Sequence, residues 1–336
     1  MRRRQFVGNL LAGGALLGTD GSAVAYPRQG GPPPQGASAG ANDGVFAERP
    51  ASGRPHQGKV LAAIQPHTDD IPIFAGGTIA KLVNEGYTGY LIRTSNDEMV
   101  GKGTTGQRVL DNERDTEGVA RALGLKKVYD LEYRNHLMDD ISRVEMRERL
   151  IYLIRLLKID TIVCYDPWGI YEENPDHYVT AQVVEASCWM AAGEHDYPEH
   201  FDGGVQPHGV KEKYYFARGP QIVNRVVDYS PWVDAKVEAN LANKTQGPAG
   251  DNGARLRAKL ASEKKKLPLL GDNDDTANRE YIKNIMLDYD SWYLRGVISD
   301  RELGRRYGVE WAEAFHYIGP RPSRLDGYIA EHAVAL

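Results

Sequence analysis

"KVLAAIQPHTDDIPIFAGGTIAKLVNEG", residues 59–86, is the stretch that decides the fold. Its apolar start is typical of a short buried strand, and the segment 74–86 has the spacing of an amphipathic helix that ends at a glycine. Between the two lie His67 and the adjacent Asp69 and Asp70. Neighbouring carboxylates repel each other and lose hydration when they are partly buried, unless a cation or a proton relieves them. The stretch therefore predicts a strand, an ionisable turn and a helix.

The same alternation continues along the chain. Strand patterns lie at 88–95, 127–133, 160–166, 213–219 and 221–230, and helical patterns at 107–124, 142–157 and 176–191. Strands that alternate with helices of this length predict a parallel sheet covered by helices. We expect a Rossmann-like, mostly parallel α/β catalytic domain over residues 57–230. Residues 231–336 should form a mainly helical C-terminal extension packed on that domain.

The N-terminal segment has the layout of a cleavable export signal. Residues 1–25 have a basic start, an apolar, glycine-rich middle and a small-residue Ala-Val-Ala end. Arg3-Arg4 resembles a twin-arginine signature, which predicts export of the folded protein to the periplasm or the outside. Residues 26–56 are rich in Pro, Gly, Ala and Ser, so we expect a disordered linker.

The overall composition limits the function classes. The chain has 336 residues, 41% of them hydrophobic and 26% charged, with a formal net charge of −5. Nucleic-acid binding needs clustered basic residues, so this acidic balance argues against a nucleic-acid partner. A membrane span needs roughly 20 apolar residues in a row, and the sequence has no such run. Cys164 and Cys188 lie in apolar or helical patterns, which favours buried thiols over a disulfide.

Two polar motifs are expected to meet at one edge of the sheet. Ligands of open parallel sheets bind beyond the carboxyl ends of the strands. His67 and Asp70 follow one predicted strand, and "YEENPDHYVTA" follows another. In that second motif Asn174-Pro175 resembles a helix N-cap and a first-turn proline, which places His177 in the first turn. Because a catalytic zinc takes three protein ligands and keeps a position for water, we predict that His67, Asp70 and His177 hold one divalent ion, Zn²⁺ first among them.

These motifs resemble those of the PIG-L/LmbE-like N-deacetylases. The resemblance covers about residues 58–190 and rests on His67-Thr68-Asp69-Asp70, Gly76-Gly77-Thr78 and Pro175-Asp176-His177, with weaker likeness at 224–246 and 312–318. It implies a Rossmann-like fold, a divalent metal that is usually zinc, and removal of an N-acetyl group from an amino sugar or glycoconjugate. It also implies the same three ligands, with Asp69 as general base.

The sequence departs from the family pattern at three positions. Thr68 replaces the usual proline, and Ile71 stands where an acidic residue is common. Asn174 stands where many members carry a histidine with an acidic or oxyanion-stabilising role. An asparagine donates a hydrogen bond but delivers no proton, and the alternative is that Asn174 is only the helix cap. The amine must then be protonated by Asp69 itself or by His136, His208 or His316.

Further residues are candidates for substrate binding, each with a plainer alternative. They are Asp97 and Glu98 (or simple loop carboxylates), Arg114 (or an ion pair with Glu117 on its helix), Asn135 (where the family often has a sugar-binding Asp), and Trp168 with Tyr171 (stacking on a sugar, or packing). The partner would be a small molecule or oligosaccharide bearing an N-acetyl group, and an oligomer is possible.

Two other functions compete with deacetylation. A metal-dependent hydrolase of another amide or ester fits the same residues. A non-catalytic carbohydrate-binding relative would fit Asn174, although all three ligands and the base are present. A nucleotide-binding protein is disfavoured, because no Gly-x-Gly-x-x-Gly follows the first strand.

Overall fold

The structure is a computed structural model that describes residues 44–248, 250–320 and 324–335. The predicted export signal, residues 1–25, lies outside the described residues, as does the linker up to residue 43. Among the described residues no helix combines the length and the apolar character that a membrane crossing requires. Cys164 and Cys188 are buried and free, as predicted.

The described strands form one eight-stranded sheet. They are β1 Phe46–Glu48, β2 Val60–Gln65, β3 Thr88–Ser95, β4 Val128–Tyr133, β5 Thr161–Tyr165, β6 Glu212–Phe216, β7 Arg225–Asp228 and β8 Ala312–Ile318. Their order is β1-β7-β8-β6-β5-β2-β3-β4. Neighbouring strands are parallel except at β8, which runs antiparallel to both β6 and β7. The predicted fold class, a mostly parallel α/β sheet with helices around it, is confirmed.

The helices connect these strands and build most of the extension. They are α1 Asp70–Phe74, α2 Gly76–Asn84, α3 Thr105–Ala122, α4 Arg143–Leu157, α5 Pro175–Met190, α6 Glu199–Asp202, α7 Val233–Ala242, α8 Asn252–Ser262, α9 Asp274–Glu280, α10 Ser291–Arg295, α11 Asp300–Arg306 and α12 Leu325–His332, with a π-helix at Tyr281–Tyr289. Short 3₁₀ turns lie at Met138–Asp140, Ser230–Trp232 and Pro268–Leu270.

Two strands correct the predicted boundaries. β1 lies inside the stretch expected to be a disordered linker, yet it pairs in parallel with β7. β8 lies in the extension that was expected to be mainly helical, and it is inserted between β6 and β7. Both strands gain their hydrogen bonds from partners far away in the sequence, and no local pattern reports such partners.

The parallel centre of the sheet gathers the polar segments. Leu61, Ile92 and Val163 are fully buried in the cores of β2, β3 and β5. Because β5, β2, β3 and β4 are parallel neighbours, their carboxyl ends lie at one edge. The chain leaves that edge towards His67, Asp97, Asn135 and Asp166 in turn. The sheet therefore brings four loops into one region.

A buried ion cluster, formed by Lys236, Arg295, Asp300 and Glu313, joins the extension to the sheet. The ammonium of Lys236 donates to Asp300 at 2.7 Å and to Glu313 at 2.6 Å. Glu313, on β8, also accepts the backbone N–H groups of Gly77 and Thr78 at 2.9 and 2.7 Å. β8 thus caps the start of α2, the helix that follows the turn at 67–70.

Candidate metal centre and active site

The side chain of Asp70 closes the turn after β2. The backbone N–H of His67 donates to Oδ2 of Asp70 at 2.8 Å. The hydroxyl of Tyr165, the last residue of β5, donates to Oδ1 of the same carboxylate at 2.6 Å. Asp70 is therefore fixed by its own turn and by the neighbouring strand β5.

The three predicted ligands converge on one point. Nδ1 of His67 lies 3.0 Å from Nε2 of His177. Oxygens of Asp70 lie 3.5 Å from each of these nitrogens, and all three side chains are buried. A tetrahedral ion with bonds of about 2.0–2.2 Å holds its ligands roughly 3.3–3.6 Å apart, close to the spacing here. The donor set and its geometry fit one divalent ion, and the assignment as ligands stays a prediction.

Each imidazole has a carboxylate on its other nitrogen. Nε2 of His67 lies 3.0 Å from Asp176, and Nδ1 of His177 lies 3.1 Å from Glu172. Glu172 is itself paired with Arg218. Such partners fix the ring orientation and the tautomer of a metal-binding histidine. Sequence reasoning missed both carboxylates, although Asp176 is part of the Pro-Asp-His motif.

The histidine electrostatics follow from burial and these carboxylates. Burial lowers the pKa of His67, but Asp176 and Asp70 outweigh it and hold the pKa well above its usual value. For His177 burial dominates and lowers the pKa, despite the nearby Asp70 and Glu172. Burial would raise the pKa of Asp70, but His177 and His67 together bring it below its usual value. In the described part of the chain, Asp70 has no ion pair with a lysine or arginine.

Asp69 has the properties of a proton acceptor. It occupies the N-cap position of α1 but makes no side-chain cap hydrogen bond. Burial, and then the charge of Asp70, raise the pKa of Asp69 to about 7. A cation bound beside it would lower this pKa again, because opposite charge favours the carboxylate. A half-buried carboxylate beside a metal site is suited to general-base catalysis.

Asn174 is the helix cap, as predicted. Its Oδ1 accepts the backbone N–H of Asp176 at 3.0 Å, and Pro175 follows in the first turn of α5. Its amide nitrogen lies 3.4 Å from Nε2 of His177. One group of the side chain therefore caps the helix while the other faces the metal centre, so a role in catalysis stays a prediction.

Asp97 does not line a substrate pocket. It is fully buried, and its Oδ2 accepts the backbone N–H of Thr68 at 3.1 Å and the Thr68 hydroxyl at 3.0 Å. A proline at position 68 has no N–H to donate, so Asp97 gives the threonine at this position a structural reason. The predicted substrate contact is replaced by a role in holding the turn.

The side chains of Asn135 and Glu98 also form hydrogen bonds with neighbouring residues. Asn135 is fully buried, and its amide nitrogen donates to Asp176 at 2.8 Å and lies 3.0 Å from Nε2 of His67. Glu98 accepts from Arg134 at 2.7 Å. Asn135 therefore supports the metal centre through Asp176, in place of the predicted direct contact with a sugar.

Arg114 and Trp168 differ in how well they fit the prediction that they contact the substrate. Arg114 is exposed on α3 and pairs with Asp111 at 2.7 Å, so the ion-pair alternative holds, with Asp111 in place of Glu117. Trp168 is 55% exposed on the loop after β5, and its ring packs against those of Tyr215 and His316. Trp168 remains available to a ligand, whereas Arg114 is occupied on the helix surface.

The three histidines that were candidates for the proton donor lie at different distances from the metal ligands. His208 lies 3.5 Å from Asp160, at the amino end of β5, which is the opposite edge of the sheet. His316 pairs with Asp166 at 3.1 Å. His136 is exposed, and its ring centroid lies 6.3 Å from that of His67. His208 is therefore excluded as the acid, and His136 lies beside the metal ligands.

Fold and site together define a class of protein. It is an α/β protein that carries two histidines and one aspartate at the carboxyl edge of its sheet, with a free carboxylate beside them. Two imidazoles and one carboxylate are a donor set compatible with the three protein ligands of a hydrolytic metal centre.

Comparison with known proteins finds a known domain within this chain. Residues 62–188 match the family model PIG-L: GlcNAc-PI de-N-acetylase. Over 198 residues the chain is 26% identical to the diacetylchitobiose deacetylase of Thermococcus kodakarensis, which covers 56% of this chain and 71% of the relative. Residues 62–188 therefore form a PIG-L domain, homologous to the LmbE-like deacetylases, and the resemblance read from the motifs is confirmed.

Solved structures share the fold. The N,N'-diacetylchitobiose deacetylase of Pyrococcus horikoshii superposes with a TM-score of 0.56 at 21% identity, over 77% of this chain and 84% of that one. GalB, the 4-carboxy-2-hydroxymuconate hydratase of Pseudomonas putida KT2440, gives a TM-score of 0.53 at 17% identity, over 79% and 98%. One fold thus supports different reactions, and the site must decide between them.

Proposed function

We propose that this protein is a zinc-dependent de-N-acetylase that removes the acetyl group from an amino sugar or a short oligosaccharide. The observation that carries the proposal is the convergence of His67, Asp70 and His177 beside the half-buried Asp69. The PIG-L match and the diacetylchitobiose deacetylase relative support the choice of an N-acetyl sugar.

In this proposal a bound ion would supply Lewis acidity, and residues of the chain would transfer the proton and orient the ligands. A divalent ion held by the three ligands would supply Lewis acidity, both to ionise water and to polarise the amide carbonyl. Asp69, beside the ligands, accepts the proton of the attacking water. The carboxylates of Asp176 and Glu172 hold the two imidazoles in the orientation that the site needs.

The departing amine needs a proton. Asp69 carries one after the attack and can return it to the leaving nitrogen. His136 is the second candidate, because its backbone is tied to Asp176 at 2.7 Å and its exposed ring lies at the mouth of the site. The amide of Asn174 supplies a hydrogen bond to the developing oxyanion but no proton.

The loop after β5 is the proposed contact surface for the sugar. Trp168 is 55% and Tyr171 is 82% exposed, on the same loop as Glu172 and Asn174. Aromatic faces suit the apolar C–H face of a sugar ring. The pattern of residues 1–25 supports export, so we place the reaction in the periplasm or outside the cell.

The test is product analysis on the purified Zn²⁺-loaded protein. Substrates are N-acetylglucosamine, N,N'-diacetylchitobiose and, as an ester, p-nitrophenyl acetate, with the metal-ligand variant His177→Ala as control. We expect free amine and acetate in equal amounts from an N-acetyl sugar with the wild type only. Ester cleavage without amine release would favour the alternative hydrolase, and binding without any product would favour the non-catalytic relative.

A further inference from the structure

A loop of the C-terminal extension, residues 243–247, lies directly on Asp69. Gly247 ends this loop in a left-handed conformation, with φ of +67°. A side-chain carbon added at Gly247 would lie 2.3 Å from Oδ2 of Asp69 and 3.0 Å from its Cβ and Cγ. A contact of 2.3 Å cannot persist, so a side chain at position 247 would force the Asp69 carboxylate or the loop to move, and the positive φ also favours glycine.

The 243–247 loop is anchored on α3. The buried Oδ2 of Asp115 accepts the backbone N–H groups of Lys244 and Thr245 at 2.7 and 2.8 Å, and the Thr245 hydroxyl at 2.7 Å. The amide of Gln246 donates to Oδ1 of Asn112 at 2.9 Å. Four hydrogen bonds from one helix therefore fix the backbone just before Gly247.

The same helix holds the turn that carries Asp69. The hydroxyl oxygen of Thr68 lies 2.7 Å from that of Thr116 and 3.3 Å from the backbone oxygen of Asn112. α3 thus anchors both the turn and the loop that closes on it. The turn that carries Asp69 and the loop that ends at Gly247 are therefore both bound to α3.

We propose that Gly247 is a positioning residue for the general base, and that the extension thereby completes the active site. The missing side chain lets the 243–247 loop restrict the Asp69 carboxylate without displacing it. This inference rests on the proposed function, because it assigns Gly247 an effect through Asp69.

The first test compares two glycine substitutions. Gly247→Ala introduces the clash with Asp69. Gly204→Ala is the matched control, because Gly204 has a similar φ of +82° but open space around the added carbon. A displacement of a catalytic group by about 1 Å costs roughly 10²-fold in rate. We expect Gly247→Ala to lose about 10–10²-fold in kcat with KM within about 3-fold and bound zinc unchanged, and Gly204→Ala to behave as wild type.

A double-mutant cycle separates positioning from general damage. In the Asp69→Asn background, Gly247→Ala should cause no further loss of kcat, because the group through which it acts is already gone. The same fold-loss in both backgrounds would overturn the proposal. Should Gly247→Ala fail to fold, Asp115→Asn loosens the loop without adding atoms, and the same cycle applies to it.

The two proposals fail in different ways. A wild-type protein that binds zinc but releases no amine overturns the proposed function. An active wild type in which Gly247→Ala matches Gly204→Ala overturns only the role of Gly247.

Discussion

Two buried groups of charges in this molecule are balanced in different ways. In the buried ion cluster, Asp300 meets Lys236 at 2.7 Å and Arg295 at 2.6 Å. In the metal centre, the ion-pair partners of Asp70 among the described residues are the two imidazoles of His67 and His177, both at 3.5 Å. The first cluster carries its cations as side chains. In the second, no lysine or arginine of the described residues pairs with Asp70, and the donor set is compatible with a divalent ion.

The pKa of Asp69, beside the metal centre, is shifted in the opposite direction from that of Asp300 in the ion cluster, whereas the pKa of Asp70 is lowered like that of Asp300. Burial would raise the pKa of Asp300, but Arg295 and Lys236 outweigh it and hold the pKa below its usual value. Burial and the neighbouring Asp70 raise the pKa of Asp69 to about 7. A structural cluster is thus satisfied as folded, whereas the acid beside the metal centre is held in a state suited to exchanging protons.

The largest effect expected is on turnover, at the metal centre. Asp69→Asn should lower kcat by about 10²–10⁴-fold, the usual scale for a positioned general base. Bound metal should be unchanged, because the three ligands are untouched. Initial rates of amine release and metal content are measured on the same samples. Near-normal turnover with metal bound would refute the role of Asp69.

Substitutions in the buried ion cluster should lower the stability of the protein and not its turnover. Lys236→Met leaves Asp300 and Glu313 buried without their shared cation, which should lower the free energy of unfolding by about 3–5 kcal/mol. Urea denaturation measures this loss. Lys265→Met is the control, because Lys265 pairs with Glu263 at the surface and should change stability by less than about 1 kcal/mol. Equal effects of both substitutions would contradict the contrast drawn between the clusters.

Substitutions of Asn174 distinguish a structural role as helix cap from a role in catalysis. As a helix cap alone, Asn174→Ala should lower stability by about 0.5–2 kcal/mol and leave turnover nearly unchanged. As an oxyanion donor it should instead lose about 10²–10³-fold in kcat. Asn174→His adds a proton donor, so a faster enzyme would mean that protonation of the amine limits the rate. Thermal unfolding and kcat of the two variants distinguish these outcomes.

The sequence predicted what local patterns encode. β3 has the bounds of the predicted strand pattern, residues 88–95, and Asn174 caps α5. His67, Asp70 and His177 converge because parallel strands end at one edge. These features depend on periodicity, capping and a topological rule, all of which are visible in short segments.

What the sequence did not predict depends on distant partners. β8 fits between β6 and β7 through hydrogen bonds to both of them. Gly247 is constrained by Asp69, which lies far earlier in the chain. For Asp97 the sequence leaves a pocket residue and a simple loop carboxylate open, because its burial against Thr68 is a tertiary contact. Long-range contacts of this kind leave no periodic trace.

Metal stoichiometry tests the central claim most directly. The wild type and His177→Ala are stripped with chelator, dialysed against Zn²⁺ and measured for bound metal, with circular dichroism to show that both are folded. The account predicts about one ion per chain in the wild type and a large loss in the variant, since a catalytic zinc needs three protein ligands. A folded wild type that binds no zinc, or a His177→Ala protein that binds it equally well, would contradict the account.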